Sequence, residues 1–198
     1  VLPGSRRTEV RRLMTVFGET AGLLAAARKG MDFVLPTLPA LLPLVSAAAE
    51  RWPVQPRIVT TEAEKFAALR RARAALAASG TVTLELALAQ VPTVAAYKVS
   101  PLEAPIARRV IKSASTILPN LVLHENVVPE FHQENCTAEK LAAALAPLLE
   151  DGPSRRRQLQ AFGRLDEIMA IGEGHPSERA ARIALAAYET KTGRNAPR

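Results

Sequence analysis

Two hydrophobic periods alternate along this chain: short unbroken apolar runs, and longer stretches in which apolar residues return at helical spacing. Residues 1–3 read as the tail of a strand. A helix then starts near Ser5, with Val10, Leu13, Met14, Phe17, Ala21 and Leu24 on one face. Residues 31–38 (MDFVLPTL) read as a strand and 39–51 as a helix, with Pro43 tolerated in its first turn. A strand at 57–60 leads to a helix at 62–71 capped by Thr60-Thr61. The run 74–78 is a strand buried on both faces, 83–90 a helix, and 93–97 the next strand. Ser100 and Pro101 open a helix over 102–112, residues 116–118 form the last strand, and 119–121 the loop leaving it. Residues 124–134 read as irregular. Helices follow at 138–149 (capped by Thr137), 154–169 and 177–188 (capped by Ser177), with a joint at 171–174 and a frayed tail at 190–198. Alternating strands and helices predict an α/β fold: a Rossmann-like doubly wound parallel sheet with right-handed crossovers and extra C-terminal helices.

In such a sheet, ligands bind outside the carboxyl ends of the strands. Two strand-to-helix corners there carry suitable chemistry. In the first, Gly4, Ser5 and Arg6 offer backbone N–H groups, a hydroxyl and a guanidinium to an anion. The competing reading is that Ser5 only caps a helix and that Arg6 and Arg7 are solvated. In the second, Ser79, Gly80 and Thr81 form the turn, the glycine allowing close backbone approach to a ligand. Glu85, one turn into the following helix, can accept from paired hydroxyls such as those of a ribose, or simply favour the helix dipole.

Composition narrows the classes. The 198 residues suffice for one core, and 48% hydrophobic with 23% charged residues is globular. Aromatics at 4% argue against single-stranded nucleic-acid binding. A net charge of +7 points to an anionic partner, whether nucleotide phosphate, nucleic acid or acidic membrane. Cys136 is the lone cysteine, which excludes an internal disulfide and fits a packing role. His124, His132 and His175 have no metal-ligand spacing, and no dinucleotide, P-loop or hydrolase-elbow motif occurs. His124 with Glu125 could serve acid–base chemistry or be two solvated loop residues. No run is long enough to span a bilayer, and the start, Val-Leu-Pro-Gly-Ser, reads as lying within a longer protein.

Read together, LPGSRRTEV (2–10), SGTVTLE (79–85), VPTVAAYKVSP (91–101), LPNL (118–121), VVPEF (127–131), QENCT (133–137) and PSERAA (176–181) resemble the C-terminal half of the lipid-A-disaccharide synthase family. The resemblance covers nearly the whole chain. It implies that residues 1–198, including the helices from about 137 to 190, form the nucleotide-sugar-binding C-terminal domain of a GT-B glycosyltransferase, and that the N-terminal acceptor domain is absent. Such enzymes transfer diacylglucosamine from UDP-diacylglucosamine to lipid X with inversion, releasing UDP, with no cofactor and no metal. It further implies work at the cytoplasmic face of the inner membrane, peripheral on an anionic surface, with homo-oligomerisation open and no nucleic acid. Carried over by residue, Arg6 would neutralise the departing diphosphate beside Gly4 and Ser5. Ser79, Gly80 and Thr81 would cradle phosphate, Glu85 would lie near ribose, and Asn120 of LPN would line the cleft. His124 stands where the family pattern expects a small residue such as glycine. Arg108, Arg109, Lys112 and Arg155, Arg156, Arg157 are the expected membrane-facing cations. The alternatives are another UDP-sugar enzyme on this fold, such as an epimerase, or a non-catalytic anion-binding module.

Overall fold

A computed structural model describes residues 1–99, 115–170 and 175–192. Sequence expectations for the helix at 102–112, with Ser100, Arg108, Arg109 and Lys112, and for the joint at 171–174 lie outside the described residues. The chain divides into two compact units, Val1–Leu165 and Asp166–Arg198.

In the first unit the elements are α1 (Arg7–Ala27), β1 (Val34–Pro36), α2 (Leu42–Ala49, entered through a 3₁₀ turn at Pro39–Leu41) and β2 (Arg57–Val59). Then come α3 (Glu62–Arg71), β3 (Ala75–Ala78), α4 (Thr81–Leu88), β4 (Thr93–Tyr97), α5 (Leu118–Leu123), β5 (Glu130–His132) and α6 (Ala138–Leu149). Helix α7 (Pro153–Ile168) runs across the boundary between the units. All strand pairs are parallel: β1 with β2, β3 with β4, and β4 with β5. Val1 and Leu2 join the two sets. The Val1 amine donates to the Val34 carbonyl at 2.7 Å, Leu2 N–H donates to Leu76 at 2.8 Å, and Ala78 N–H donates back to Leu2 at 2.7 Å. The lateral order is therefore β2, β1, Leu2, β3, β4, β5, a doubly wound sheet whose order reverses between Leu2 and β3.

Alternation along the central strands sorts the core to two faces. Leu76, Ala78, Val94 and Ala96 pack with Val10, Leu13, Phe17 and Val45 of α1 and α2 and with Leu141, Leu145 and Leu148 of α6. Ala75, Ala77 and Ala95 face the other way, toward Leu69, Leu86, Ile117, Phe162 and Leu165. Small strand residues let helices approach both faces closely. Cys136 is buried in the first cluster, and burial raises its thiol pKa.

Helix α4 starts at Thr81, two residues before the expected 83, so Thr81 belongs to the helix and not to the turn, and two other segments change element type. Residues 116–118 are not a strand: Pro119 sits in the first turn of α5, where a missing N–H costs nothing, and Asn120 is helical. The last strand is instead Glu130–His132, within the stretch read as irregular. Its three residues are held by pairing to Ala95, Ala96 and Tyr97 and show no period of their own. In the second unit, α8 (Pro176–Thr192) begins one residue before the expected Ser177 cap and exposes Ile183, Leu185 and Tyr188.

Candidate functional site

Register places the two corners side by side. Leu2 pairs with Ala77, Ala77 with Ala95, and Ala95 with Glu130. Counting two residues on, Gly4, Ser79, Tyr97 and His132 form one row along the carboxyl edge. Neighbouring strands are about 4.8 Å apart, so the Gly4 and Ser79 corners are adjacent at the point where strand order reverses.

At the first corner Gly4 has φ +109°, and a Cβ there would overlap the Glu9 carboxylate and lie 2.8 Å from Glu9 Cβ. Glu9 is buried. Its Oε2 accepts from Ser5 N–H at 3.2 Å and Arg6 N–H at 3.3 Å, and its Oε1 accepts from Arg6 Nη1 at 2.8 Å. The N–H groups expected to face an anion are thus engaged by the chain's own carboxylate. The Arg6 guanidinium, with a side chain 77% exposed, is the group this corner presents outward.

The second corner differs. Ser79 N–H still donates to Ala96 at 3.0 Å, continuing the β4 pairing, and its hydroxyl donates to the Thr116 carbonyl at 3.3 Å. Gly80 is extended, exposed, and would meet nothing within 4 Å if it carried a Cβ. Thr83 turns its hydroxyl onto the Gly80 carbonyl at 2.7 Å. The amides of Thr81 and Val82 have no partner among the described residues and lie at the positive end of α4. Glu85 is ion-paired with Lys65 of α3, whose ammonium also lies 5.2 Å from the Phe66 ring centroid.

Asn120 is placed differently from a cleft-lining residue. It is 3% exposed, and its Oδ1 accepts from Val127 and Val128 N–H, each at 2.9 Å. Its amide nitrogen donates to the Val128 carbonyl at 2.9 Å and to Glu130 at 3.1 Å. All its capacity is spent holding the loop between α5 and β5. Arg155 turns inward to the Leu148 carbonyl, whereas Arg156 and Arg157 stay exposed while bonding along the surface, Arg156 to the Asp151 carbonyl and Arg157, with Arg164, to Glu125. These contacts hold the exposed Glu125 carboxyl below its ordinary range, chiefly through Arg164.

Sequence reasoning passed over Glu9, Lys65, Thr116, Glu130 and His132. Glu9 carried a signal, a carboxylate in the third position of a helix, where it caps the first turn. Glu130 carried another, a charge inside the apolar run Val127 to Phe131. Lys65 and Thr116 are brought in only by tertiary packing. Among the described residues, no cluster of His, Cys, Asp or Glu is arranged to hold a metal ion.

A cavity of about 930 Å³ lies elsewhere, lined by Val1, Phe33, Arg57, Ala74 and Leu149 at the amino ends of the strands. It shares none of the corner residues. Position relative to the order reversal makes the carboxyl edge the stronger site.

The sequence profile of the Lipid-A-disaccharide synthetase family matches residues 1–184. Among curated relatives, a lipid-A-disaccharide synthase of Rhodopseudomonas palustris strain HaA2 is 58% identical over 185 residues, covering 93% of this chain and 47% of the relative. One of Nitrobacter hamburgensis is 58% identical over 193 residues, covering 98% and 49%. A more distant one, of Gluconobacter oxydans, is 39% identical over 181 residues, covering 91% and 44%. The chain spans about half the length of the curated relatives it matches.

Proposed function

Because the chain belongs to the lipid-A-disaccharide synthase family, we propose that it is the UDP-sugar-binding half of an inverting glycosyltransferase. The donor is UDP-diacylglucosamine, the acceptor lipid X, and the products are the β-linked disaccharide and UDP. The diphosphate lies across the adjacent corners. Thr81 and Val82 N–H groups, at the start of α4, meet its oxygens over the bare face of Gly80. Arg6 faces the leaving group, where negative charge grows in the transition state, and Glu9 holds the guanidinium in place. Glu85, steadied by Lys65, accepts from ribose hydroxyls. The acceptor side and its general base belong to the half of the relatives that this chain does not cover. Both substrates are acylated, so the whole enzyme works peripherally at the cytoplasmic face of the inner membrane. Among the described residues, no helix is long and apolar enough to cross a membrane.

The observation that carries this reading is Gly80. Neither its φ nor its surroundings require a glycine, so the missing side chain serves something outside the chain. Calorimetric titration of the wild-type chain and Gly80→Ala with UDP tests it. The variant should melt like wild type and bind UDP at least about tenfold more weakly. Equal affinity would refute the phosphate seat.

A further inference from the structure

Beyond the two corners, the densest polar cluster among the described residues sits beneath the carboxyl edge and centres on Glu130. Its side chain is 13% exposed. Oε2 accepts from the Thr116 amide at 2.9 Å, the Thr116 hydroxyl at 2.8 Å and His132 Nε2 at 3.3 Å. Oε1 accepts from the Ser115 hydroxyl and from Asn120 Nδ2 at 3.1 Å. Burial alone would raise this carboxyl's pKa, but bonds from His132, Ser115 and Thr116 outweigh it and hold the value at about 2. A carboxylate so surrounded has no capacity left for a ligand or a proton.

Its reach is toward the ligand edge. Thr116, held twice by Glu130, presents its carbonyl to the Ser79 hydroxyl. Asn120, held by the same carboxylate, fixes Val127 and Val128. One buried charge therefore ties the Ser79 turn, the entry to α5 and the loop into β5 together. We propose that Glu130 is a positioning residue for the phosphate-binding corner Ser79, Gly80 and Thr81, acting through Thr116 without touching the ligand. The proposal rests on the UDP-sugar reading above.

Glutamine at this position keeps the shape but cannot keep the bonds. With its NH₂ in place of Oε2 it faces the Thr116 N–H, which cannot turn; in place of Oε1 it faces the Asn120 NH₂, fixed by three other bonds. Either orientation sets donor against donor.

The test is calorimetry of the wild-type chain, Glu130→Gln, His132→Ala and Thr116→Val with UDP and with uridine, which lacks the phosphates. Glu130→Gln should weaken UDP binding about tenfold and leave uridine affinity unchanged. His132→Ala, which spares four of Glu130's bonds, should bind both ligands like wild type. If Glu130→Gln does not fold, Thr116→Val carries the test, with a smaller loss for UDP alone. Equal losses for UDP and uridine would reveal a merely structural role and overturn the proposal, as would unchanged UDP affinity in Glu130→Gln or Thr116→Val. A loss in His132→Ala matching that of Glu130→Gln would move the effect to the histidine and overturn it too. Wild type that failed to bind UDP would remove the site reading itself, whereas binding by wild type with no UDP-specific loss removes the positioning role alone.

Discussion

Gly4 and Gly80 occupy equivalent corners one strand apart, yet the chain constrains only the first. Gly4 is needed by the fold, for its positive φ and for the Glu9 carboxylate packed against it; Gly80 is not. His124 is the converse case. It closes α5 at φ +52°, ψ +31°, a conformation unfavourable for a side chain, which accounts for the small residue expected there. His124→Gly should therefore raise stability, by about 0.5–1 kcal/mol after the entropic cost of glycine in the unfolded chain, and chemical denaturation would show it as a higher midpoint at unchanged slope. Glu130 gives a pH signature. Its pKa is about 2 in the folded chain against an ordinary 4.5, so its stabilisation is complete above about pH 4.5 and is lost as pH falls from there toward 2. The full linkage is on the order of 3 kcal/mol. Melting temperature should fall more steeply between about pH 5 and 3 for wild type than for Glu130→Gln, and parallel curves would contradict it. The positions of Arg6, Gly80 and Glu85 at strand-to-helix corners were legible because such corners are local. The burial of Asn120 was not, since its partners Val127, Val128 and Glu130 arrive from a segment with no period of its own.

At the scale of elements, the same division between local and tertiary signals holds. Helix α3 was legible to the residue because Thr61 caps it, accepting from Glu64 N–H at 3.2 Å while the Glu64 carboxylate returns to Thr61. Strand β4 was legible because Thr93–Tyr97 is a short run, with no charged residue, that follows Pro92 and holds the β-formers Thr93, Val94 and Tyr97. Strand β5 was not, because three residues paired on one side give no pattern to read. Helix α1 carries a tertiary feature that its helical period hides. Gly18 and Gly22 form a flat strip on which Trp52 and Pro53 lie. A Cβ on Gly18 would overlap the Trp52 indole, and one on Gly22 would come within 2.8 Å of Pro53 Cγ. Alanine is the better helix former, by about 1 kcal/mol, but overpacking costs roughly 1–3 kcal/mol and backbone shifts add to it. Gly18→Ala should therefore lower stability while moving the emission of Trp52, the only tryptophan, toward that of a solvated indole. An unchanged spectrum with a higher melting temperature would mean that the strip does not constrain α1 against the segment after α2.

At the scale of the whole molecule, parallel pairing brings distant segments to a single edge. The doubly wound order was legible from alternation, because short buried runs and helical stretches leave few topologies. The adjacency of the Gly4 and Ser79 corners follows from that order rather than from either motif. Transfer to an acceptor hydroxyl needs a group free to take its proton. Three carboxylates at this edge are engaged: Glu9 by the Gly4 corner, Glu85 by Lys65, and Glu130 by its five donors. His132 directs Nε2 at Glu130. On the proposed reading, these residues supply charge and phosphate contacts, and the base comes from the half of the relatives that this chain does not cover. Given donor and acceptor in detergent, this chain should bind UDP yet form no disaccharide above background. In the protein that also contains the relatives' other half, Arg6→Ala should lower turnover at least about a hundredfold, the scale for removing one electrostatic stabiliser of the transition state. Product formation by the isolated chain at a rate near that of the longer protein would show that a base lies within it, and His132 would be the first residue to replace.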